Sequence, residues 1–346
     1  MENGLFNMKI TQNQLHQEEP ICLLVIDMMS VRAHVNLNSF YLHELSSWKP
    51  VLYISAELED SYKNISARRF GERPCSSGIF DRLMAGLRVI SILLRQRPRQ
   101  VVFFSYDLLT FPVISHFAAF LGIKVLCFEH NTAPRTRSRR FLHHAMSSGV
   151  KRLVYGAHIM PLYTDAGIEA IYVPHPCVRP KESTGDDSEW REIVADHGQH
   201  SKNVAFCPSG SVTLELIEKV AVQHADTLFV CKSTRSSSVK NVKCRKYFEA
   251  YSDALAGCDF VCVLFPLEHK VSGPVFEAIA MGKPVMVLEN AFGQYMKSLF
   301  PGAIFYSSED IPREVVVSVD EYNRSIICKI AEGLTSTLGT LGSEGR

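Results

Sequence analysis

Ser272, Gly273, Pro274 and Glu277 stand close together in a chain of 346 residues, and their types suit the binding of a phosphorylated ligand. Ser272 or Gly273 can cap a helix, Pro274 has the fixed φ of a first turn, and Gly282 with Pro284 supplies the expected stop. A helix begun in this way offers free backbone N–H groups and a positive dipole end to an anion. Glu277, read as lying in the first helical turn, can accept hydrogen bonds from ribose hydroxyls beside a diphosphate. A plainer reading stays open, in which its carboxylate only complements the helix dipole.

Two further places combine polar groups with the right surroundings. Glu129-His130-Asn131 follows the apolar run 124–128, and polar groups at the carboxyl end of a parallel strand face the crevice where open α/β sheets bind ligands. His130 is the best polar candidate of the first half. Pro208-Ser209-Gly210-Ser211 joins the apolar run 203–207 to a helical pattern at 213–224, so Gly210 marks a second phosphate approach.

The elements that must position these residues alternate regularly. Residues 259–290 read as strand, polar loop, short helix and second strand. Upstream, apolar runs at 21–27, 51–56, 101–106 and 124–128 alternate with helical patterns at 38–47, 81–95 and 111–121. The alternation predicts doubly wound parallel sheets with helices on both faces. Residues 60–78 show no period and read as a long loop suited to an acceptor. A short strand at 152–155 and a helix at 159–166 lead to Ile171-Tyr172-Val173-Pro174-His175-Pro176, where two prolines stiffen a crossing between domains. Further on come a strand at 227–231, a helix at 246–256, a strand at 304–306 and a helical pattern at 319–330. The expected organisation is a leader at 1–20, an N-terminal domain at 21–174, a C-terminal domain at 175–318, a closing helix at 319–334 and a frayed tail at 335–346.

The wording SGPVFEAIAMGKPVMV resembles the donor-nucleotide motif of retaining glycosyltransferases with two facing Rossmann-like domains, the GT-B fold, and most of all glycosyltransferase family 4. The resemblance spans most of the chain and is strongest over 271–287. It implies that Ser272, Gly273, Pro274, Val275 and Glu277 hold the nucleotide, that His130 approaches the donor sugar and acceptor, and that Glu268 is the upstream acid near the sugar. Glu268 stands one position away from the family spacing, which His269 occupies. The family's arginine against the diphosphate is replaced by serine, leaving Lys232 or Arg235 for that role. Its paired glycines after the first strand are replaced by Asp27-Met28-Met29-Ser30.

Composition bounds the rest. A formal net charge of +1 gives no global signal for nucleic acid, and no aromatic-rich recognition strand accompanies the basic residues. Ten scattered cysteines without a CxxC pair read as reduced thiols, and no DxD motif sits at a strand end, so no metal or other cofactor is expected. Asp186-Asp187 lies in a polar loop and reads as solvated. No apolar segment reaches membrane-spanning length and the first residues lack signal-peptide order, which predicts a cytoplasmic protein. Arg135, Arg137, Arg139 and Arg140, beside Phe141, Leu142 and Met146, allow either a solvated helix start or a peripheral contact with an anionic membrane. The resemblance implies transfer of a sugar from a nucleotide-sugar to a glycan or lipid-linked acceptor, as in polysaccharide or glycoconjugate biosynthesis. A nucleotide-sugar epimerase of the same fold and a non-catalytic glycosyltransferase-like binding protein remain the alternatives.

Overall fold

The computed structural model describes residues 22–31, 34–55, 58–59, 62, 67–71, 78–130, 132–180, 188–198, 201–246, 248, 250–264, 266, 269–312, 315 and 317–338. The expectations for the leader at 1–20, for Asp186-Asp187, for Glu268 and for the tail beyond 338 lie outside the described residues.

Two wholly parallel sheets form. The first takes β1 (Leu23–Asp27), β2 (Val51–Ser55), β3 (Ala67–Gly71), β4 (Gln100–Ser105), β5 (Lys124–Glu129), β6 (Val150–Val154) and β7 (Ile171–Tyr172) in the order β3-β2-β1-β4-β5-β6-β7. The second takes β8 (Asn203–Cys207), β9 (Thr227–Lys232), β10 (Val242–Arg245), β11 (Phe260–Val263), β12 (Val285–Val287) and β13 (Ile304–Tyr306) in the order β10-β9-β8-β11-β12-β13. The central strands are continuous apolar runs because both of their faces are buried. Each sheet changes direction of winding once, at β1/β4 and at β8/β11, and ligands of such sheets bind beyond the carboxyl ends of the strands at these points.

The helices divide between the faces. In the first domain α1 (Val35–Glu44) covers Leu23, Val25, Val102 and Phe104, while α2 (Ile79–Gln96) and α3 (Phe111–Phe120) cover Leu24, Ile26, Val101 and Phe103. Then come α4 (Arg137–His144) and α5 (Met160–Thr164), while α6 (Ser188–Gly198) packs through Trp190 and Ile193 on the second sheet. In the second domain α7 (Gly210–Gln223) packs on Cys207, Phe229 and Phe260. On the opposite face α8 (Tyr251–Gly257), α9 (Gly273–Ala280) and α10 (Ala291–Leu299) pack on Phe206, Val230 and Val261. The last helix, α11 (Val319–Leu338), returns to the first domain and buries Ile326 completely in its core.

Four elements, β3, β7, β10 and α10, were not expected, and the helix expected at 246–256 is α8, which starts at Tyr251. The stretch 60–78 contains the edge strand β3, whose sequence Ala-Arg-Arg-Phe-Gly hides its period because an edge strand keeps only part of itself buried. β10 escapes detection for the same reason, and α10 because its short sequence begins after a turn. Asn290 caps α10, accepting from Gly293 N at 2.9 Å.

Candidate functional site

A cleft of about 660 Å³ separates the two domains. The first domain contributes His34, Asn36, Leu37, Glu129, His130 and Tyr155, and the second Pro208, Lys232, Tyr251, Gly273, Pro274 and Glu277. His175 and Pro176 of the connecting segment also reach it. Of the residues singled out by sequence, His130, Lys232, Gly273, Pro274 and Glu277 therefore share one cavity.

On the second-domain side, the N-terminus of α9 opens into this cleft. Ser272 occupies the cap position, but its side chain makes no capping hydrogen bond, contrary to expectation; the Val275 amide donates to the Ser272 carbonyl at 3.2 Å and Pro274 has no N–H, so the positive end of the helix and the Gly273 backbone are what α9 offers to an anion. A Cβ placed on Gly273 would meet no atom within 4 Å, so the backbone here borders open space. Val275 is fully buried and belongs to the core, not to the wall of the cleft.

Glu277 is the fifth residue of α9 and not part of its first turn, which removes most of the dipole explanation for a carboxylate there. Its Oε2 accepts from Tyr251 Oη at 2.8 Å, and the Asn36 side chain reaches it from the first domain. Burial raises the pKa of Glu277 from its ordinary 4.5, and these two hydrogen bonds oppose that rise. Burial, and then the same carboxylate, hold the Tyr251 hydroxyl protonated well past its usual range.

Lys232 ends β9 and reaches the cleft, while Arg235 lies on the surface in an ion pair with Glu215 at 3.3 Å, which leaves Lys232 as the cation of the two that lines the cavity. Gly210 has a packing role: a Cβ there would stand 3.0 Å from Cys231 Cβ and 3.2 Å from the Lys232 carbonyl oxygen. The missing side chain lets the start of α7 approach the end of β9, with Pro208 beside the cavity.

On the first-domain side, His130 follows β5 and stacks on His34 with ring centroids 4.2 Å apart. Its Nε2 is enclosed and has no hydrogen-bond partner among the described residues, so a ligand in the cleft is a natural partner for it. Burial, and then the neighbouring His34 and His175, push its pKa well below 6.5. Burial also lowers His34, and it takes His175 down to about 4. The three imidazoles are therefore neutral at pH 7. His175 stacks on Phe276 of α9 at 4.3 Å and bonds the Pro176 carbonyl at 2.8 Å, which ties the connection to the donor-side helix.

Buried groups hold this wall in place. Glu129 accepts from Tyr106 Oη at 2.7 Å and from Thr132 Oγ1, bracketing His130 on both sides, and His143 reaches the Thr132 carbonyl at 2.8 Å. At the first turn, where glycines were expected, Asp27 is fully buried and accepts from Ser30 N at 3.0 Å, Asn38 Nδ2 at 2.9 Å and Ser105 Oγ. Ser30 takes φ of 47° there, the left-handed conformation that a glycine would supply.

His34, Asn36, His175 and Tyr251 went unrecognised in the sequence. Only His175 carried a signal, standing between the two prolines of the crossing.

No protein-family model and no curated protein matches the chain. Among solved structures it is similar to Anabaena Alr3699/HepE in complex with UDP-glucose, at a TM-score of 0.60 and 12% identity over 91% of each chain. It is also similar to a glycosyltransferase from Rickettsia africae ESF-5, at a TM-score of 0.56 and 13% identity over 93% of this chain and 94% of that one. A UDP-N-acetylglucosamine 2-epimerase follows at 0.53 and 12%, over 93% and 90%. With two parallel-sheet α/β domains facing one cleft, the chain has the GT-B fold.

Proposed function

We propose that the cleft binds a nucleotide-sugar and that the chain transfers the sugar, with retention of configuration, to a glycan or lipid-linked acceptor held by the first domain. The observation that carries this reading is the convergence on one cavity of the uncapped start of α9, Glu277 and Lys232 from one domain and His130 from the other. In this reading the start of α9 at Gly273 and Lys232 take the diphosphate, Glu277 takes the ribose, and His130 meets the reacting sugar. Departure of the diphosphate is favoured by fixed donors in a cleft that excludes water, and no metal or other cofactor is included. The resemblance to glycosyltransferase family 4 over 271–287 and the UDP-glucose bound by HepE support the same reading. We also propose that Arg135, Arg137, Arg139 and Arg140 bring the cytoplasmic face of a membrane within reach.

A thermal-shift panel of nucleotide-sugars tests donor binding directly. A true donor at one hundred times its dissociation constant stabilises the fold by about 2.7 kcal/mol. Product analysis then separates the reactions: an altered sugar formed without acceptor belongs to an epimerase, a fold shared at a TM-score of 0.53. His130→Ala should keep donor affinity within about threefold while turnover falls at least about a hundredfold, within the range of general acid–base effects. Unchanged turnover would remove His130 from the reaction.

A further inference from the structure

The outer side of the first domain joins two features that soluble surfaces usually keep apart. Nine of the eleven exposed large hydrophobic side chains among the described residues lie between Ile79 and Phe141, so they are concentrated and not scattered. Over residues 78–144 the chain carries ten Lys and Arg against three Asp and Glu, a net +7 in a protein of net +1. Of those three acids Asp107 and Glu129 are buried, which leaves Asp81 as the exposed one.

The fold puts these residues on one face. α2 packs inward through Ala85, Val89 and Leu93, yet its outward side carries Phe80, Leu83, Leu87 and Leu94 at three- to seven-residue intervals. Exposed apolar residues at helical spacing on the solvent side ask for a partner. α3 lies on the same face of the sheet and exposes Val113 at 64% and Phe120 at 84%. α4 is fastened to α3 by His116 on the Ala145 carbonyl at 3.0 Å and by Ser147 N on Ser115 Oγ at 3.0 Å. Its inner side is held through His143, whose carbonyl accepts from Arg152 at 3.1 Å, so Arg137 and Phe141 are exposed on its outer side, while exposed Arg140 donates to the Pro134 carbonyl at 3.1 Å. Each of these helices follows a strand, so its N-terminus lies towards the carboxyl ends of the strands.

We propose that the outer face of α2, α3 and α4 docks on an anionic lipid surface, with the leucines and phenylalanines entering the headgroup boundary and the arginines contacting lipid phosphates. The inference rests on the proposed role of the α4 arginines and adds an apolar insertion surface to it; it is independent of donor binding. Charge complementarity selects this occupant. A two-fold dimer across the same face would set its arginines against their own copies. A nucleic acid would leave the apolar stripe against phosphates. A lipid interface meets both halves of the surface, burying apolar side chains below anionic groups.

The test uses the full chain with phosphatidylcholine vesicles that either contain or lack phosphatidylserine, read by co-sedimentation at low and high salt. Wild type should bind the anionic vesicles, and less so as salt rises. Arg135→Gln with Arg137→Gln should weaken partitioning about fivefold for each arginine removed. Phe80→Ser, Leu83→Ser and Leu87→Ser together should abolish the salt-resistant part at an unchanged melting temperature. Phe80→Ser alone serves if the triple variant unfolds. Loss in the arginine variant alone keeps the arginine contact and overturns the insertion surface. Failure of wild type to bind anionic vesicles overturns both, as an acidic protein partner for this face would require. A dimer in light scattering that the triple variant disperses gives the face to a second copy and also overturns the proposal.

Discussion

Glu277 is the residue at which binding and stability can be pulled apart. Glu277→Gln keeps the size of the side chain and an oxygen for the Tyr251 hydroxyl, while removing a charge that burial already disfavours. Hydrogen bonds to charged groups are worth about 1.5–3 kcal/mol, so donor affinity should fall roughly ten- to a hundredfold at a nearly constant melting temperature. Calorimetric titration reads the first and thermal unfolding the second; an unchanged dissociation constant would end the ribose assignment. His175 governs a different property. Its folded pKa of about 4 lies below the ordinary 6.5, so between these values the unfolded chain binds more protons than the folded one. Stability from this group is fully present above pH 6.5 and is lost as pH falls towards 4, by roughly 3 kcal/mol. Urea midpoints at pH 7 and pH 5 should converge in His175→Gln relative to wild type, and equal slopes would clear His175 of the effect. Glu277 and His130 were legible as chemistry because each follows a strong local pattern. Tyr251 and Asn36, which touch the same carboxylate, were not, since no local pattern relates residues 36, 251 and 277.

At the scale of elements, α9 is the part that local sequence described best. Proline at its start and glycine with proline at its end marked it, and the helix runs Gly273–Ala280. What the pattern concealed was how it begins: the serine at the cap position does not cap, and the space before Gly273 is open. Gly273→Ala is therefore expected to leave the melting temperature unchanged or higher, since alanine has the better helix propensity by up to about 1 kcal/mol. Donor affinity should nonetheless drop at least about tenfold, or about 1.4 kcal/mol, because the methyl group occupies the approach to the phosphates. A variant that binds donor like wild type would show that no phosphate sits there. Central strands were legible as apolar runs because both their faces are buried. The edge strands β3 and β10 were not, because partial exposure removes the signal on which detection depends.

The whole molecule is closed by contacts between residues far apart in the chain. His158 reaches the Lys270 carbonyl at 3.1 Å, Tyr172 and Tyr295 share a hydroxyl contact at 2.9 Å, and Asn323 exchanges two hydrogen bonds with the backbone of Cys177. Ile326, on a helix that follows the second domain, is completely buried in the core of the first. Ile326→Ala should cost about 2–5 kcal/mol and loosen the coupling of the two domains, so that a single calorimetric transition broadens or splits. A loss below about 0.5 kcal/mol would mean that α11 does not join them.

By itself, the sequence determined the class of fold and the chemistry of the donor side, because both reside in short-range patterns: apolar runs of strand length, helical spacing, and a helix start of Ser272, Gly273 and Pro274. Which groups face one another was decided only by the tertiary structure. His34 beside His130, Asn36 on Glu277 and the buried carboxylate of Asp27 in a turn without glycine all depend on packing across strands and domains. Leu83, Leu87, Ile90 and Leu94 share a helical interval, which marks the α2 segment as a helix without saying which way the stripe faces. Rotation of that helix against its sheet turned Leu83, Leu87 and Leu94 outward and Ala85, Val89 and Leu93 inward. A hydrophobic stripe reports which residues share a face, and only the fold reports whether that face meets the protein or its surroundings.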